Sequence, residues 1–378
     1  MTVPMAVQGG DAVNKDTNWS RRSFLTTRGL GASAGGMLGL LVGDRSVPAC
    51  GVLPPRLEVC YSRRAMACEF SVFLPPTVPC GMNAADAALD DIQALEAILT
   101  VYSTTSLMSY VNQNGFPGPV RTDGRIFHLL QRAAELTALT DGAFDVSAGA
   151  LVRAWGFLKG PRRVPGEDEW AAAMSSSGMR HVELDEQQQT VRYRVARLEI
   201  NLGAIGKGYA IDRAVGRLQE EYGVTSALIQ GGLSSMRAVG SCSDDEEGWL
   251  VGIQNPLDPG RRVAVVRLRN RAMGTSSANR QHFEAGGRTY GHILDPRTGR
   301  PADSDLAGAT VLAPDAATAD ALSTAFFLMG LDKVRDFCHN HPEIAALLVL
   351  QPGKSQRTQA SPQIVTFNLT KKDYQLTG

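Results

Sequence analysis

One stretch of the chain decides the fold: Leu198-Glu199-Ile200-Asn201-Leu202-Gly203-Ala204-Ile205-Gly206-Lys207-Gly208. Its first five residues predict a strand, the glycine-rich part predicts a loop, and the periodicity of Tyr209 to Tyr222 predicts a helix that ends at Gly223. A glycine-rich loop before a helix presents backbone N–H groups to an anion, and Lys207 adds a positive charge. Because the order Gly-x-x-Gly-x-Gly matches neither the dinucleotide fingerprint nor the Walker A pattern, a tight turn that needs positive φ is an equally good interpretation.

Helical and strand-like patterns alternate on both sides of this stretch. Amphipathic periodicity predicts helices over 83–99 and 125–139, and a third between a cap at Asp315 and a stop at Gly330. Alternation and short apolar runs predict a hairpin over 181–194 and strands over 69–74, 226–230, 249–254, 262–268, 292–295 and 309–312. No repeat or low-complexity tract follows residue 55, which excludes a solenoid. We therefore expect an α+β fold with mixed, largely antiparallel sheets and packed helices.

Asp320 and Thr324 lie four residues apart on the third predicted helix and therefore share one of its faces. Leu322, Phe326 and Met329 form an apolar stripe beside them, so we expect the pair on a polar face of a packed helix. Carboxylate and hydroxyl oxygens suit Mg²⁺, which takes few protein ligands and leaves other positions to phosphate and water. The same spacing is typical of a solvated helix face, so the pair alone does not define a metal site.

His292 lies in the block Tyr290-Gly291-His292-Ile293-Leu294-Asp295-Pro296-Arg297-Thr298-Gly299. The block predicts a short strand that ends in a turn, since proline and glycine favour turns. A single histidine in such a place is more often structural than catalytic, and the block alone leaves both interpretations open.

Composition limits the class of protein. The chain has 378 residues, of which 43% are apolar, enough for a large buried core. Lys plus Arg and Asp plus Glu both number 38, so no overall charge favours nucleic acid or an acidic surface as a partner. The six cysteines form no CxxC pair, which argues against a zinc site and leaves room for one or two disulfides.

The N-terminal residues have the pattern of an export signal. Ser20-Arg21-Arg22-Ser23-Phe24-Leu25 precedes an uncharged stretch rich in glycine, alanine and leucine, which is typical of twin-arginine export. The stretch is shorter than the roughly 20 apolar residues of a membrane span. We expect residues 1–55 to be signal and linker, residues 56–378 to be the functional domain, and the protein to be periplasmic, with anchoring to the membrane through Cys50 left open.

Several motifs, in this order along the chain, resemble the ApbE family of flavin transferases. The resemblance covers about Tyr61 to Leu350. Its pieces are Arg64-Ala65-Met66, Tyr102-Ser103 with Asn112, Gly142-Ala143-Phe144-Asp145, Leu151 to Phe157, Asn201 to Asp212, Val251 to Pro256, Gly274-Thr275-Ser276, the His292 block and Ala319-Asp320-Ala321-Leu322-Ser323-Thr324-Ala325. The resemblance implies an architecture related to the T-fold.

The resemblance also implies roles for individual residues. The metal ligands would be the side chains of Asp320 and Thr324 and the main-chain carbonyl of Ala204. Lys207 and His292 would act in catalysis, His292 as the proton acceptor. The flavin contacts would fall on Met66, Tyr102, Ala143, Phe144, Asp145, Asn201, Lys207, Leu294 and Ser323.

The implied activity is that of an FAD:protein FMN transferase. With Mg²⁺, such an enzyme moves FMN from FAD to a threonine hydroxyl of an exported acceptor flavoprotein and releases AMP. Three positions depart from the family pattern, which usually has aspartate at Asn201, aspartate or asparagine at Leu233, and glycine after Ser276. These departures keep two alternatives open: a Mg²⁺-dependent FAD pyrophosphatase and a non-catalytic FAD-binding protein.

Overall fold

The computed structural model describes residues 51–52, 58–242, 247–277, 282–352 and 362–377. All of them belong to one compact unit, Pro48–Gly378. The predicted export signal lies outside the described residues, as does Cys50, so the division between residues 55 and 56 stays a prediction. No helix in the described part of the chain has the length and apolar character needed to cross a membrane.

Helices and strands alternate along the described residues, as the sequence predicts. The helices are α1 Gly81–Leu99, α2 Leu107–Asn114, α3 Gly124–Leu139, α4 Gly149–Ala154, α5 Glu167–Ser175, α6 Gly206–Tyr222 and α7 Ala316–Asn340, with a 3-10 turn at Met179–His181. The strands are β1 Gly51–Val52, β2 Val59–Ala65, β3 Cys68–Leu74, β4 Val120–Arg121, β5 Val182–Asp185, β6 Thr190–Tyr193, β7 Ala227–Gly231, β8 Ser235–Val239, β9 Trp249–Gln254, β10 Arg262–Leu268, β11 Ala272–Ser277, β12 His282–Ala285, β13 Arg288–Gly291, β14 Leu294–Asp295, β15 Arg300–Pro301, β16 Leu306–Ala313, β17 Ala345–Leu350, β18 Ile364–Phe367 and β19 Tyr374–Leu376.

An eight-stranded sheet with the order β18-β17-β16-β11-β8-β7-β3-β2 is the centre of the molecule. Its neighbouring strands all run antiparallel. A four-stranded sheet, β1-β9-β10-β19, and a three-stranded sheet, β4-β6-β5, are antiparallel as well. The predicted α+β class with largely antiparallel sheets is confirmed.

The large sheet is buried on both faces, and β17 shows how. Ala346 and Leu348 face the core that contains α1, α6 and α7, whereas Ala345, Leu347 and Val349 face the four-stranded sheet. Successive side chains of a strand point to opposite faces, so a strand between two cores must be apolar at every position. The layers are therefore helices, large sheet and small sheet.

Predicted helix signals agree well with the observed helix ends. The side chain of Asp315 accepts a hydrogen bond from Thr318 N at 2.7 Å, and Gly223 ends α6 in the left-handed region. Gly330, with φ 77°, interrupts α7, which then continues to Asn340. Helix α1 begins at Gly81 after Cys80, before the start at Asn83 that the sequence predicts.

Residues 198–202 are not the ladder strand that the sequence predicts. Their ladder contact is one isolated parallel bridge between Ala148 and Glu199. The side chain of Asn112 takes the place of a neighbouring strand, because its amide donates to Ile200 O at 2.9 Å and accepts from Ile200 N at 2.9 Å. An amide side chain carries the same donor and acceptor as a peptide group, so it satisfies the backbone there.

The five cysteines within the described residues are free, so none of them forms a disulfide: Cys60, Cys68, Cys80, Cys242 and Cys338.

Candidate active site

All of the predicted site residues line one cleft with a volume of about 520 Å³. They are Met66, Tyr102, Ala143, Phe144, Asp145, Asn201, Ala204, Lys207, His292, Leu294, Asp320, Ser323 and Thr324. The volume lies within the range of about 300 to 1,000 Å³ that is usual for small-molecule sites. The fold thus brings together residues that are up to 258 positions apart in the chain, counting from Met66 to Thr324.

Helices α6 and α7 cross at the cleft and cap each other. Asp320 on α7 accepts a hydrogen bond from Gly208 N in the first turn of α6 at 2.8 Å. Asp212 on α6 accepts hydrogen bonds from Ala316 N at 2.8 Å and Ala317 N at 2.9 Å in the first turn of α7. The first N–H groups of a helix have no partner within the helix, and a carboxylate there also interacts favourably with the helix dipole.

Gly208 allows this crossing, and Gly274 allows α7 to approach the large sheet. A Cβ atom at Gly208 would lie 2.1 Å from Ala316 O, and one at Gly274 on β11 would lie 2.3 Å from Ala319 O. A Cβ atom at Gly206 would meet nothing closer than Leu202 Cβ at 3.9 Å. Gly208 is therefore needed for helix packing, and the interpretation that the loop is a tight turn with positive φ is wrong, since Gly203, Gly206 and Gly208 have no positive φ.

Asp320 and its surroundings form an oxygen-rich corner of the cleft. The residue is only 5% exposed, which corrects the expectation that it lies on a polar helix face. Lys207 Nζ lies 3.9 Å from Asp320 Oδ2. Ser276 Oγ on β11 lies 3.2 Å from Thr324 Oγ1 and 2.9 Å from Ser323 Oγ. The Ser276 hydroxyl therefore fixes the direction of the Thr324 hydroxyl.

The donors in this corner fit a hard cation such as Mg²⁺. A carboxylate, a hydroxyl and the main chain of Ala204 meet in one cleft, and a buried carboxylate beside a cleft favours a positive partner. The described residues contain no group of three or more His, Cys, Asp or Glu side chains that could hold a metal. The predicted set has one carboxylate only, so it would not form such a group.

Met66, a predicted flavin contact, lies in an unusual turn of the first hairpin. Met66 and Ala67 join β2 to β3 with φ of 48° and 60°, the left-handed region that favours glycine. Such strain persists only where the surrounding structure enforces it, and it concentrates at functional sites. Tyr102 is 63% exposed and lines the cleft.

Asp145 and Asn201 have partners within the protein. Asp145 accepts hydrogen bonds from Ser147 N at 2.8 Å and Met179 N at 2.9 Å. Asn201 Oδ1 accepts one from Gly203 N at 2.9 Å. The Asp145 carboxylate therefore holds two loops together at the edge of the cleft, and the Asn201 amide shapes the glycine-rich loop. An amide serves that purpose as well as a carboxylate, because one acceptor is enough.

His292 enters the cleft from an aromatic cluster and not from a strand. The observed strand is Leu294–Asp295 alone, so His292 lies before it and directly after β13. Its ring centroid is 6.5 Å from that of Phe157, which also lines the cleft. Trp155 behind this cluster donates to Gly299 O at 2.9 Å and so fixes the turn of the His292 block.

Sequence reasoning assigned no function to three residues that organise the site. Asn112 holds residues 198–202, Ser276 orients Thr324, and Asp212 caps α7. Burial raises the pKa of Asp212 to about 6, against the opposing effect of Arg237 at 2.6 Å. All three residues lie in motifs that carry the resemblance. Their side chains are of types that can cap a helix or bond an unpaired strand, and this was the signal that could have identified them.

All three departures from the family pattern lie within the described residues. Asn201 and Ser277, which stands where the family usually has glycine, line the cleft, whereas Leu233 is 43% exposed and the neighbouring Ser234 lines the cleft in its place. Ala278, Asn279 and Arg280, which follow Ser277, lie outside the described residues.

Known proteins resemble this chain in sequence and in fold. A curated relative from Escherichia coli K12, named FAD:protein FMN transferase, is 30% identical over 289 residues, which are 75% of this chain and 81% of the relative. One of the same name from Treponema pallidum is 32% identical and covers 72% of this chain and 80% of its own length. The solved ApbE protein of Thermotoga maritima superposes with a TM-score of 0.71 at 28% identity, over 79% of this chain and 97% of that one. The Pseudomonas stutzeri flavinyl transferase ApbE superposes with a TM-score of 0.70 at 27% identity, over 82% of this chain and 93% of that one.

The curated relatives are named as transferases, and the chain is an enzyme of the transferase class, as expected. The chain belongs to the ApbE family, whose family model matches residues 66–348 and so includes every predicted site residue.

Proposed function

We propose that this protein is an exported, Mg²⁺-dependent FAD:protein FMN transferase. It would move FMN from FAD to a threonine hydroxyl of an exported acceptor flavoprotein and release AMP. The observation that carries the proposal is the meeting of Asp320, Thr324, Lys207 and His292 in one cleft, in a chain whose relatives are named for this activity. Flavin contacts at Met66, Tyr102, Ala143 to Asp145, Asn201, Leu294 and Ser323 are part of the proposal.

Asp320, Thr324 and the Ala204 carbonyl would hold the cation. When bound, Mg²⁺ supplies positive charge to the pyrophosphate oxygens of FAD. These ligands are preorganised before a cation binds, because Gly208 N fixes one oxygen of Asp320 and Ser276 orients Thr324. Preorganised groups need no rearrangement when charge develops during the reaction.

The transfer itself needs positioning more than covalent help from the protein. The threonine oxygen forms a bond to the FMN phosphorus, and the bond between that phosphorus and the bridging oxygen breaks. AMP leaves with the bridging oxygen, and the threonine proton passes to His292. Lys207, in the first turn of α6, would offset the negative charge on the phosphates, and the α6 N-terminus acts in the same direction.

Product analysis tests this function. The purified protein is incubated with FAD and Mg²⁺, with and without a panel of purified exported flavoproteins in their apo forms. We expect one AMP for each flavin that becomes covalently attached, seen as fluorescence after denaturing electrophoresis. Continuous release of FMN and AMP without an acceptor would identify a pyrophosphatase, and FAD that stays bound and intact would identify a binding protein.

Export through the twin-arginine route is proposed from the sequence alone. Arg21 and Arg22 precede Ser23-Phe24-Leu25 and an uncharged stretch, and this arrangement supports the proposal. Replacing Arg21 and Arg22 by lysine should retain the protein in the cytoplasm of the expressing bacterium. Equal amounts of wild type and variant in the periplasm would contradict the proposed route.

A further inference from the structure

The hairpin of β12 and β13 stands apart from the other sheets. The two strands pair only with each other among the described residues, and Gly286 and Gly287 join them with φ of 57° and 72°. Both values are positive, which defines a two-residue type I′ turn. The residue that follows β13 is His292, which lines the cleft. The hairpin therefore leads directly to the proposed proton acceptor.

One face of the hairpin is fixed to the protein. Phe283 and Tyr290 stack across the two strands with ring centroids 5.3 Å apart. Tyr290 lies 5.5 Å from Trp155, and Phe283 lies 5.7 Å from Phe157. Aromatic packing of this kind holds a short hairpin that would be marginally stable by itself.

The outer edges of the two strands differ. In a hairpin closed by a two-residue turn, the pair next to the turn, Ala285 and Arg288, exchanges hydrogen bonds, so the next pair, Glu284 and Thr289, directs N–H and C=O groups outward. The same alternation makes His282 and Gly291 point outward. His282 O accepts a hydrogen bond from Arg162 Nη1 at 3.0 Å, which covers part of the β12 edge.

The described residues leave the β13 edge open. Thr289 and Gly291 take part in no ladder other than that with β12, and the described residues place no other hydrogen-bonding group on them. Unpaired N–H and C=O groups on a strand edge are a template for a further strand. An extended segment that pairs there advances about 3.3 Å per residue, so it reaches the level of His292 one residue beyond Gly291.

We propose that the β13 edge binds the acceptor protein as an added strand, by backbone hydrogen bonds to Thr289 and Gly291. This inference rests on the proposed function. The partner is an extended segment of the acceptor that carries the threonine, and pairing at the edge brings its hydroxyl to His292 in the cleft. Strand addition gives affinity through the main chain, so it selects extended segments over helical ones.

A matched pair of proline variants tests the edge. Thr289→Pro removes an outward N–H from β13, whereas Glu284→Pro removes the N–H of its cross-strand partner on β12. Proline is tolerated at outward edge positions, so both hairpins should form. The probe is a bead-bound library of nine-residue peptides with threonine fixed at the centre, scored by covalent flavin fluorescence, from which the best peptide is made in solution.

We expect Thr289→Pro to raise the KM for that peptide by about tenfold or more, which corresponds to one lost hydrogen bond. Glu284→Pro should leave that KM unchanged, and both variants should bind FAD with the wild-type Kd. As a second measurement that needs no variant, N-methylation of the peptide at the residues on either side of threonine should reduce transfer by wild type to the same extent.

The outcomes separate the two proposals. If wild type attaches flavin to neither peptides nor whole flavoproteins, the proposed function fails, and the docking inference fails with it. If wild type modifies whole flavoproteins but no peptide, or if the two proline variants behave alike, the β13 edge is not the docking site and the function stands.

Discussion

Asp212 and Asp320 occupy equivalent places at the α6–α7 crossing, since each caps the first turn of the other's helix. Asp212 accepts two backbone N–H groups and contacts Arg237, and it does not line the cleft. Asp320 accepts the N–H group of Gly208, contacts Lys207 and lines the cleft. The same capping geometry thus contributes to stability at Asp212 and to the candidate site at Asp320. The surroundings of a carboxylate, more than its position on a helix, decide its function.

The largest expected effect is the loss of flavin transfer when the Asp320 carboxylate in the cleft is replaced. Asp320→Asn keeps an oxygen for Gly208 N but loses the charge that holds a cation, so the rate of flavin transfer should fall by about a thousandfold at fixed Mg²⁺. The Asp212→Asn variant is the control and should stay within about threefold of wild type, because Asp212 does not line the cleft and a helix cap outside the cleft acts on stability. AMP release measures both. Equal losses of AMP release in the two variants would show that Asp212 and Asp320 do not differ in their contribution to flavin transfer.

A side chain at Gly208 should push α6 and α7 apart where they cross. Gly208→Ala would place a Cβ atom 2.1 Å from Ala316 O, so the free energy of unfolding should fall by about 3 kcal/mol, as for other overpacked positions. Gly206→Ala has room for its Cβ atom, and alanine favours a helix, so that variant should be as stable as wild type or more so. Urea denaturation measures the difference. Two equally stable variants would contradict the close approach of the helices.

Titration of Asp212 sharpens the comparison. Its folded pKa of about 6 lies above the usual value near 3.9, so the folded protein binds the proton more tightly than the unfolded chain does. Protonated Asp212 therefore contributes fully to the free energy of unfolding below the unfolded pKa near 3.9, and this contribution is lost as the pH rises through the folded pKa of about 6. The stability of wild type relative to Asp212→Asn should fall by roughly 2 kcal/mol from pH 4 to pH 7. A difference that grows with pH would mean that the Arg237 ion pair outweighs burial.

The smallest expected effect concerns the orientation of Thr324. Ser276→Ala removes the hydroxyl that fixes Thr324 Oγ1, so Mn²⁺, used as a paramagnetic substitute for Mg²⁺, should bind about tenfold more weakly. Thr310→Val removes the partner of the neighbouring hydroxyl pair, Thr275 and Thr310, and should leave that affinity unchanged. Titration followed by electron paramagnetic resonance measures both. Wild-type affinity in Ser276→Ala would remove the orienting role.

Local signals predicted the helix ends and the ordered motifs predicted the members of the cleft. Asp315 and Gly223 act at the predicted ends because caps and left-handed residues depend on nearby backbone, whereas Gly330, the predicted stop, interrupts α7 without ending it. Strand β17 was not predicted, because a strand buried on both faces reads as a continuous apolar run.

The pairing of residues 198–202 was also beyond prediction. It depends on Asn112, which lies 88 positions before Ile200 in the chain. Nothing in the local pattern distinguishes a strand that pairs with a ladder from an extended segment that pairs with a side chain. The burial of Asp320 was misjudged for a related reason, since the group that covers it, the first turn of α6, comes from another part of the chain.

The most direct test of the central claim is a crystal structure of the protein with FAD and Mg²⁺. We predict a cation about 2.1 Å from side-chain oxygens of Asp320 and Thr324 and from Ala204 O, with the FAD pyrophosphate completing its shell. Asp212 should remain bound to Ala316 N and Ala317 N. A cation bound elsewhere, or FAD bound outside the cleft, would contradict the account.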